Sequence, residues 1–261
     1  HDTLDGGAGN DNLDGGLGND FYIVDSSLDS ISDSVGTDSV LAGYNYTLTA
    51  GSVLEVLILG STASLGAGND SGNTVIGNTS DNTLDGQGGN DWIEGLAGND
   101  SLLGGLDNDT ILGGGGNDTI VGLQDDGSLD GGADTDWLQI GANFNNASNS
   151  QINDIENIQL TQTGLTANLG LQNEALIIYG FATGASTITA GSGADTVIGG
   201  NSNDSIFGGD GNNSLLGGAG NDTLLGGNNN DSLFGGDDND SLLGEAGDDT
   251  LDGGLGNDSL V

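Results

Sequence analysis

The sequence predicts an all-β chain, a parallel β-solenoid or β-roll with two nine-residue repeats per coil, interrupted by two β-rich spacers. Three observations predict it. An apolar residue recurs every ninth position over long tracts, paired glycines recur at the same period, and the 261 residues include 53 glycines and no proline. A helix is disfavoured, because each of those glycines would cost about 1 kcal/mol against alanine. Collagen is excluded, since glycine does not fall at every third residue and proline is absent.

One well-formed unit reads Gly217-Gly218-Ala219-Gly220-Asn221-Asp222-Thr223-Leu224-Leu225. In this register the repeats form three tracts, at 1–23 (opening on a partial unit), 68–139 and 181–261. Position eight is apolar or aromatic in every full unit, from Leu13 and Tyr22 through Ile93, Leu102 and Ile111 to Leu233, Leu242 and Leu260. It is therefore expected to point inward from a short strand. Position seven is nearly always Ser or Thr, which tolerate a strand and suit its wet face. Glycines at positions one, two and four permit backbone angles that other residues avoid, so positions one to six are expected to turn and seven to nine to extend. Two such units close a coil and bury position eight between two parallel sheets.

The β-rich spacers occupy 24–67 and 140–180. Strand-like pieces at 39–41, 44–48, 53–59, 155–160 and 175–179 alternate apolar residues with Thr, Ser and Asn. Wider coils continuing the solenoid are favoured over protruding bulges, because a packed stack cannot leave two open ends at each gap. The chain starts on the tail of a repeat, stops on a completed one and carries no atypical capping unit, as expected of a segment of a longer polypeptide.

Charge decides the partners. Forty acidic residues, no Lys, no Arg and one His give a formal charge of -40. Self-repulsion at that density opposes any compact state unless cations supply the missing charge. Nucleic acid and anionic membrane are not expected partners. The longest apolar run, 53–59, is too short and, with Glu55, too acidic to insert into a bilayer. Cysteine is absent, which excludes disulfides and thiolate metal sites.

Thirty-five of the acids are Asp and five are Glu, a bias that suits tight loops with short-armed ligands. The candidate metal ligands are the position-six aspartates: Asp2, Asp11, Asp20, Asp91, Asp100, Asp109, Asp118, Asp136, Asp195, Asp204, Asp222, Asp231, Asp240, Asp249 and Asp258. Ca²⁺ fits this all-oxygen set better than Mg²⁺, since it accepts six to eight oxygens in flexible geometry. Zinc would want Cys or His, and the only His is His1. Two repeats per coil place each loop over the loop two repeats earlier, pairing Asp91 with Asp109, Asp100 with Asp118, Asp222 with Asp240 and Asp231 with Asp249. On the order of ten ions are expected, of weak to moderate affinity. The pair Asp109 and Gly127 is expected to make a weak or vacant site. With one core side chain per repeat, the fold is expected to depend on a cation that binds it and not the unfolded chain.

The units Gly6-Gly7-Ala8-Gly9-Asn10-Asp11 and Gly217-Gly218-Ala219-Gly220-Asn221-Asp222 resemble the repeats-in-toxin (RTX) nonapeptide, G-G-x-G-x-D-x-U-x. The resemblance implies a parallel β-roll, calcium in the loops, a chain unfolded in low-calcium cytosol, and type I secretion from a bacterium to the exterior or the cell surface. The run Asn19-Asp20-Phe21-Tyr22-Ile23-Val24-Asp25, with residues 44–48 and 54–57, is similar to spacers of long multi-repeat RTX surface proteins. A surface layer, filament or adhesin is therefore the expected setting. The alternative is the calcium-binding domain of a secreted enzyme or toxin whose catalytic part lies elsewhere.

Catalysis is not expected within these residues. Neither H-E-x-x-H nor G-x-S-x-G occurs, and the single His leaves no base for a serine triad. Acid pairs such as Asp125-Asp126 or Asp134/Asp136 read as loop carboxylates. No EF-hand pattern occurs either, and the N-x-[ST] triplets are by-products of the repeat. Trp92 and Trp137 stand at the outward position seven, either as contacts for sugar or a neighbouring chain or as local covers over the sheet. Position nine also faces outward and is apolar in the last tract, with Ile198, Leu216 and Phe234 on one face and Phe207, Leu225, Leu243 and Val261 on the other. Two apolar rows suggest self-association or lateral packing against another part of the protein, beside the plain alternative that they have no partner.

Overall fold

A computed structural model describes residues 1–122, 125–145 and 150–261. Every regular element among them is a β-strand, and every strand pairing is parallel. The chain divides into two compact units, His1–Asp136 and Trp137–Val261, and each is a β-solenoid.

In the first unit one sheet stacks strands two repeats apart, so that Tyr22 pairs with Val40, Val75 with Ile93, Ile93 with Ile111, and Ile111 with Leu129. The facing sheet stacks Leu84 on Leu102 and Leu102 on Ile120. In the second unit Val197, Leu215 and Leu233 form one column, and Ile188, Ile206, Leu224 and Leu242 the other. These side chains are almost wholly buried, whereas Leu260, whose strand is paired on one edge only, is 45% exposed. The interior is thus one apolar residue per coil from each sheet, meeting across a narrow gap.

The strands are longer than the three positions that the repeat suggests. Thr83–Gly88, Trp92–Ala97 and Ser232–Asp237 each run from position seven through position three of the next unit. Glycine at position one belongs to the strand and faces inward, which confines the turn to positions four to six. A side chain there has no room, since a Cβ on Gly86 would collide with the carboxylate of Asp91 and the carbonyl of Gly104. In the well-formed units position two takes the left-handed backbone conformation whether or not it is glycine, as at Gly114 (φ 112°) and Leu96 (φ 80°).

Both spacers contribute strands to the stacks. Val40 and Leu57 continue the column between Tyr22 and Val75; the coil between them is one residue shorter than two repeats, with a bulge at Asp38/Ser39. Ile158 and Ile178 continue the column between Leu138 and Val197, in coils slightly longer than two repeats. Extra buried residues fill these coils, among them Leu48 and Leu59 in the first and Phe144, Ile155 and Leu169 in the second. The strand Ser30–Val35, which the sequence pattern did not suggest, pairs with Asn12–Leu17 in a separate two-stranded sheet.

Candidate metal centre

The turn at positions four to six carries two side-chain ladders. At position five, Asn oxygens accept the backbone N–H of the residue one coil later: Asn117 donates to Asn99 at 2.8 Å and Asn239 to Asn221 at 3.1 Å. At position six the direction reverses. The N–H of Asp91 donates to Oδ1 of Asp109 at 2.8 Å, that of Asp100 to Asp118 at 2.7 Å, and that of Asp118 to Asp136 at 2.7 Å. In the second unit Asp204, Asp222, Asp240 and Asp258 form one such column, and Asp195, Asn213, Asp231 and Asp249 another. A short side chain recurring once per coil is what keeps each donor and acceptor in reach.

The second carboxylate oxygen of these residues is different. Oδ2 of Asp11, Asp20, Asp91, Asp100, Asp109, Asp118, Asp204, Asp222, Asp231 and Asp240 is buried without a hydrogen-bond partner. It presses against the glycine at position one of its own repeat, as Asp91 does on Gly86 and Asp222 on Gly217. Leaving a charged oxygen buried and unpaired is costly. Burial pushes three of them up, against the opposing pull of the backbone N–H: Asp91 to about 7, Asp118 and Asp204 to about 6. Charge on Asp109, Asp85 and Asp107 adds to the rise at Asp91, and that on Asp100 to the rise at Asp118. Asp100, Asp109, Asp195, Asp222, Asp231 and Asp240 are raised as well, burial again being the largest cause.

Of the sequence-predicted ligands, Asp20, Asp91, Asp100, Asp109, Asp118, Asp136, Asp195, Asp204, Asp222, Asp231 and Asp240 are buried. Asp11, Asp249 and Asp258 are half-buried and Asp2 is exposed. The predicted partners are neighbours in the columns, but one oxygen of each downstream carboxylate is committed to the backbone above it. At the coil where Gly127 occupies position six, Oδ1 of Asp126 accepts the N–H of Asp109 at 3.3 Å, so a carboxylate does stand beside Asp109. Counting by nines misses it by one residue.

Other members escaped the sequence reading because they lie in the spacers. Asp38 accepts the N–H of Asp20 at 2.7 Å, and Glu55 Oε2 accepts that of Asp38 at 2.7 Å. The fragment Gly36-Thr37-Asp38-Ser39-Val40, a remnant of the repeat, could have pointed to Asp38. Trp137 stacks on Tyr179 with ring centroids 5.4 Å apart, while Trp92 is 44% exposed. The position-nine rows are in register, Ile198 beside Leu216 beside Phe234 and Phe207 beside Leu225 beside Leu243.

Buried carboxylate oxygens lacking donors, beside backbone carbonyls and without any Lys or Arg in the chain, fit a hard divalent cation held by oxygen. No curated protein matches the chain. The family model for the RTX calcium-binding nonapeptide repeat (4 copies) matches residues 1–23, 67–102, 95–129, 103–138, 189–224 and 225–260, more than half of the sequence. The chain belongs to the RTX calcium-binding repeat family.

Proposed function

We propose that calcium held along the position-six columns drives this chain to fold and makes it rigid, and that the folded solenoid is a non-catalytic structural module. The supporting observation is the series of buried, unpartnered Oδ2 atoms, which a cation would satisfy and a proton satisfies only at lower pH. Asp20, Asp91, Asp100, Asp109, Asp118, Asp204, Asp222, Asp231 and Asp240 would hold ions together with loop carbonyls, and Asp2, Asp11, Asp136, Asp195, Asp249 and Asp258 would complete the columns. On the order of ten ions per chain would bind. Exported to millimolar calcium, such a chain would fold outside the cell, in keeping with a bacterial surface layer, filament or adhesin. The paired apolar rows favour that setting over the tail of a secreted enzyme or toxin, because they offer both sheets for lateral packing. Two measurements test the reading. Calcium titration followed by circular dichroism should show cooperative gain of β structure, and a chain equally folded in excess chelator defeats the mechanism. Phe207→Ser with Phe234→Ser should weaken association in calcium, and an unchanged oligomeric state defeats the packing role.

A further inference from the structure

Beyond the nonapeptide columns, the first spacer assembles a cluster of its own. Residues 24–66 lie outside the matched repeats, yet they bring Asp33 and Asp38 against Asp20. One oxygen from each of the three lies within 4.8 Å of the others. An ion about 2.4 Å from each of two oxygens holds them no more than about 4.8 Å apart, so the cluster has the span of a calcium shell.

The individual oxygens point the same way. Asp38 is wholly buried; its Oδ1 accepts the N–H of Asp20, and its Oδ2 has no partner. Asp20 is 2% exposed; its Oδ1 takes the N–H of Asp2 at 2.6 Å and lies 3.4 Å from the His1 amino group, while its Oδ2 too is unpartnered. Asp33 stands on Ser30–Val35, where the buried Tyr22 hydroxyl donates to its Oδ2 and the Ser34 N–H to its Oδ1 at 2.6 Å. It also lines an open groove with Tyr46 and Ser52. Three carboxylates held this close, two of them buried with an oxygen lacking any donor, repel unless a cation joins them.

We propose that Asp20, Asp33 and Asp38 bind a hard divalent cation, with the Tyr22 hydroxyl fixing Asp33. Asp33 is not a position-six residue and sits on the separate two-stranded sheet, so the ion ties that sheet to the strands Phe21–Val24 and Asp38–Ala42, at the starts of which Asp20 and Asp38 stand. The site shares Asp20 and Asp38 with the position-six column and adds to it Asp33, which lies outside the columns.

The test counts calcium bound per chain at saturation, by native mass spectrometry, in the wild type, Asp33→Asn and Asp222→Asn. Asp33→Asn should lose one ion and keep the rest. An unchanged count overturns the site, whether a proton shared between Asp33 and Asp38 or nothing at all fills the cluster. Loss at Asp222→Asn without loss at Asp33→Asn leaves the columns standing and removes this site; the converse removes the columns alone. Should Asp33→Asn fold poorly, Tyr22→Phe removes only the positioning hydroxyl. It should weaken one calcium about tenfold in a stepwise titration, and unchanged affinities throughout overturn the proposal.

Discussion

In the presence of a chelator, mild acid should strengthen this fold, the reverse of ordinary acid denaturation. Asp91 is raised to about 7, and Asp118 and Asp204 to about 6, above an ordinary value of 3.8. A carboxyl whose pKa is higher folded than unfolded makes the folded chain bind more protons across that interval. Unfolding free energy therefore rises as pH falls from about 7 toward about 4. Each tenfold gain in proton affinity on folding corresponds to about 1.4 kcal/mol, and solvent near the loops reduces the sum to about 1–2 kcal/mol for each of the three groups. Far-UV circular dichroism and urea melts in chelator, taken from pH 8 to 5, measure the effect while staying above the isoelectric point near 4.1. With calcium saturating, the sign should invert over the same window, because protons compete with the ion for the same oxygens. A chelated chain that loses structure between pH 7 and 5, or a calcium-loaded one that gains stability there, refutes the account of the columns.

Asp118→Asn should raise stability in chelator and raise the calcium midpoint in titration, since Asn213 already stands at position six within a column, its Oδ1 accepting the N–H of Asp195 at 2.9 Å. Stability that moves in the same direction in chelator and in calcium counts against a metal role. Gly217→Ala puts a Cβ against Asp222 Oδ2 and 2.7 Å from the Gly235 carbonyl, and should cost about 1–3 kcal/mol in a calcium-saturated melt; no change would mean position one tolerates a methyl. Leu102→Ala, at a wholly buried position stacked between Leu84 and Ile120, should cost about 2–5 kcal/mol, while its exposed neighbour Ser101→Ala stays within about 0.5 kcal/mol.

The period of nine and the inward position eight were legible because a single apolar residue amid polar and glycine neighbours admits one burial pattern. Position-six aspartates were legible as candidate ligands because acid without any balancing base calls for a cation. Strand length was not. Glycine-rich positions one to three read as turn, although Gly86 lies within a strand and is there to leave room for the Asp91 carboxylate rather than to bend the chain. Asparagine at position five gave no signal, since its role is a bond to a backbone one full coil away, as between Asn117 and Asn99. Asp33 was invisible for the same reason. Nothing local distinguishes it, and only the pairing of Ser30–Val35 with Asn12–Leu17 carries it to Asp20 and Asp38.

The spacers show what the stack keeps when the repeat lapses. The coil from Val40 to Leu57 is shorter than two repeats and the coil from Leu138 to Ile158 is longer, so a fixed period is not required for parallel pairing. What persists at three of the irregular coils is an oxygen acceptor for the loop N–H. In the bulged coil, where Asp38 pairs with Leu54 and Ser39 with Val56, the acceptor is Glu55, whose extra methylene reaches 2.7 Å from the displaced N–H of Asp38. At the coil of Gly127 it is Asp126, one residue early. Above Asp195 it is that carboxylate itself, taking the N–H of Leu176 at 2.8 Å from a coil with no aspartate at this position. An apolar ladder alone would hold a coil of any of these lengths, since burial has no direction. The acceptor column does have one, and it therefore fixes where each loop lies over the next, whatever the coil between them.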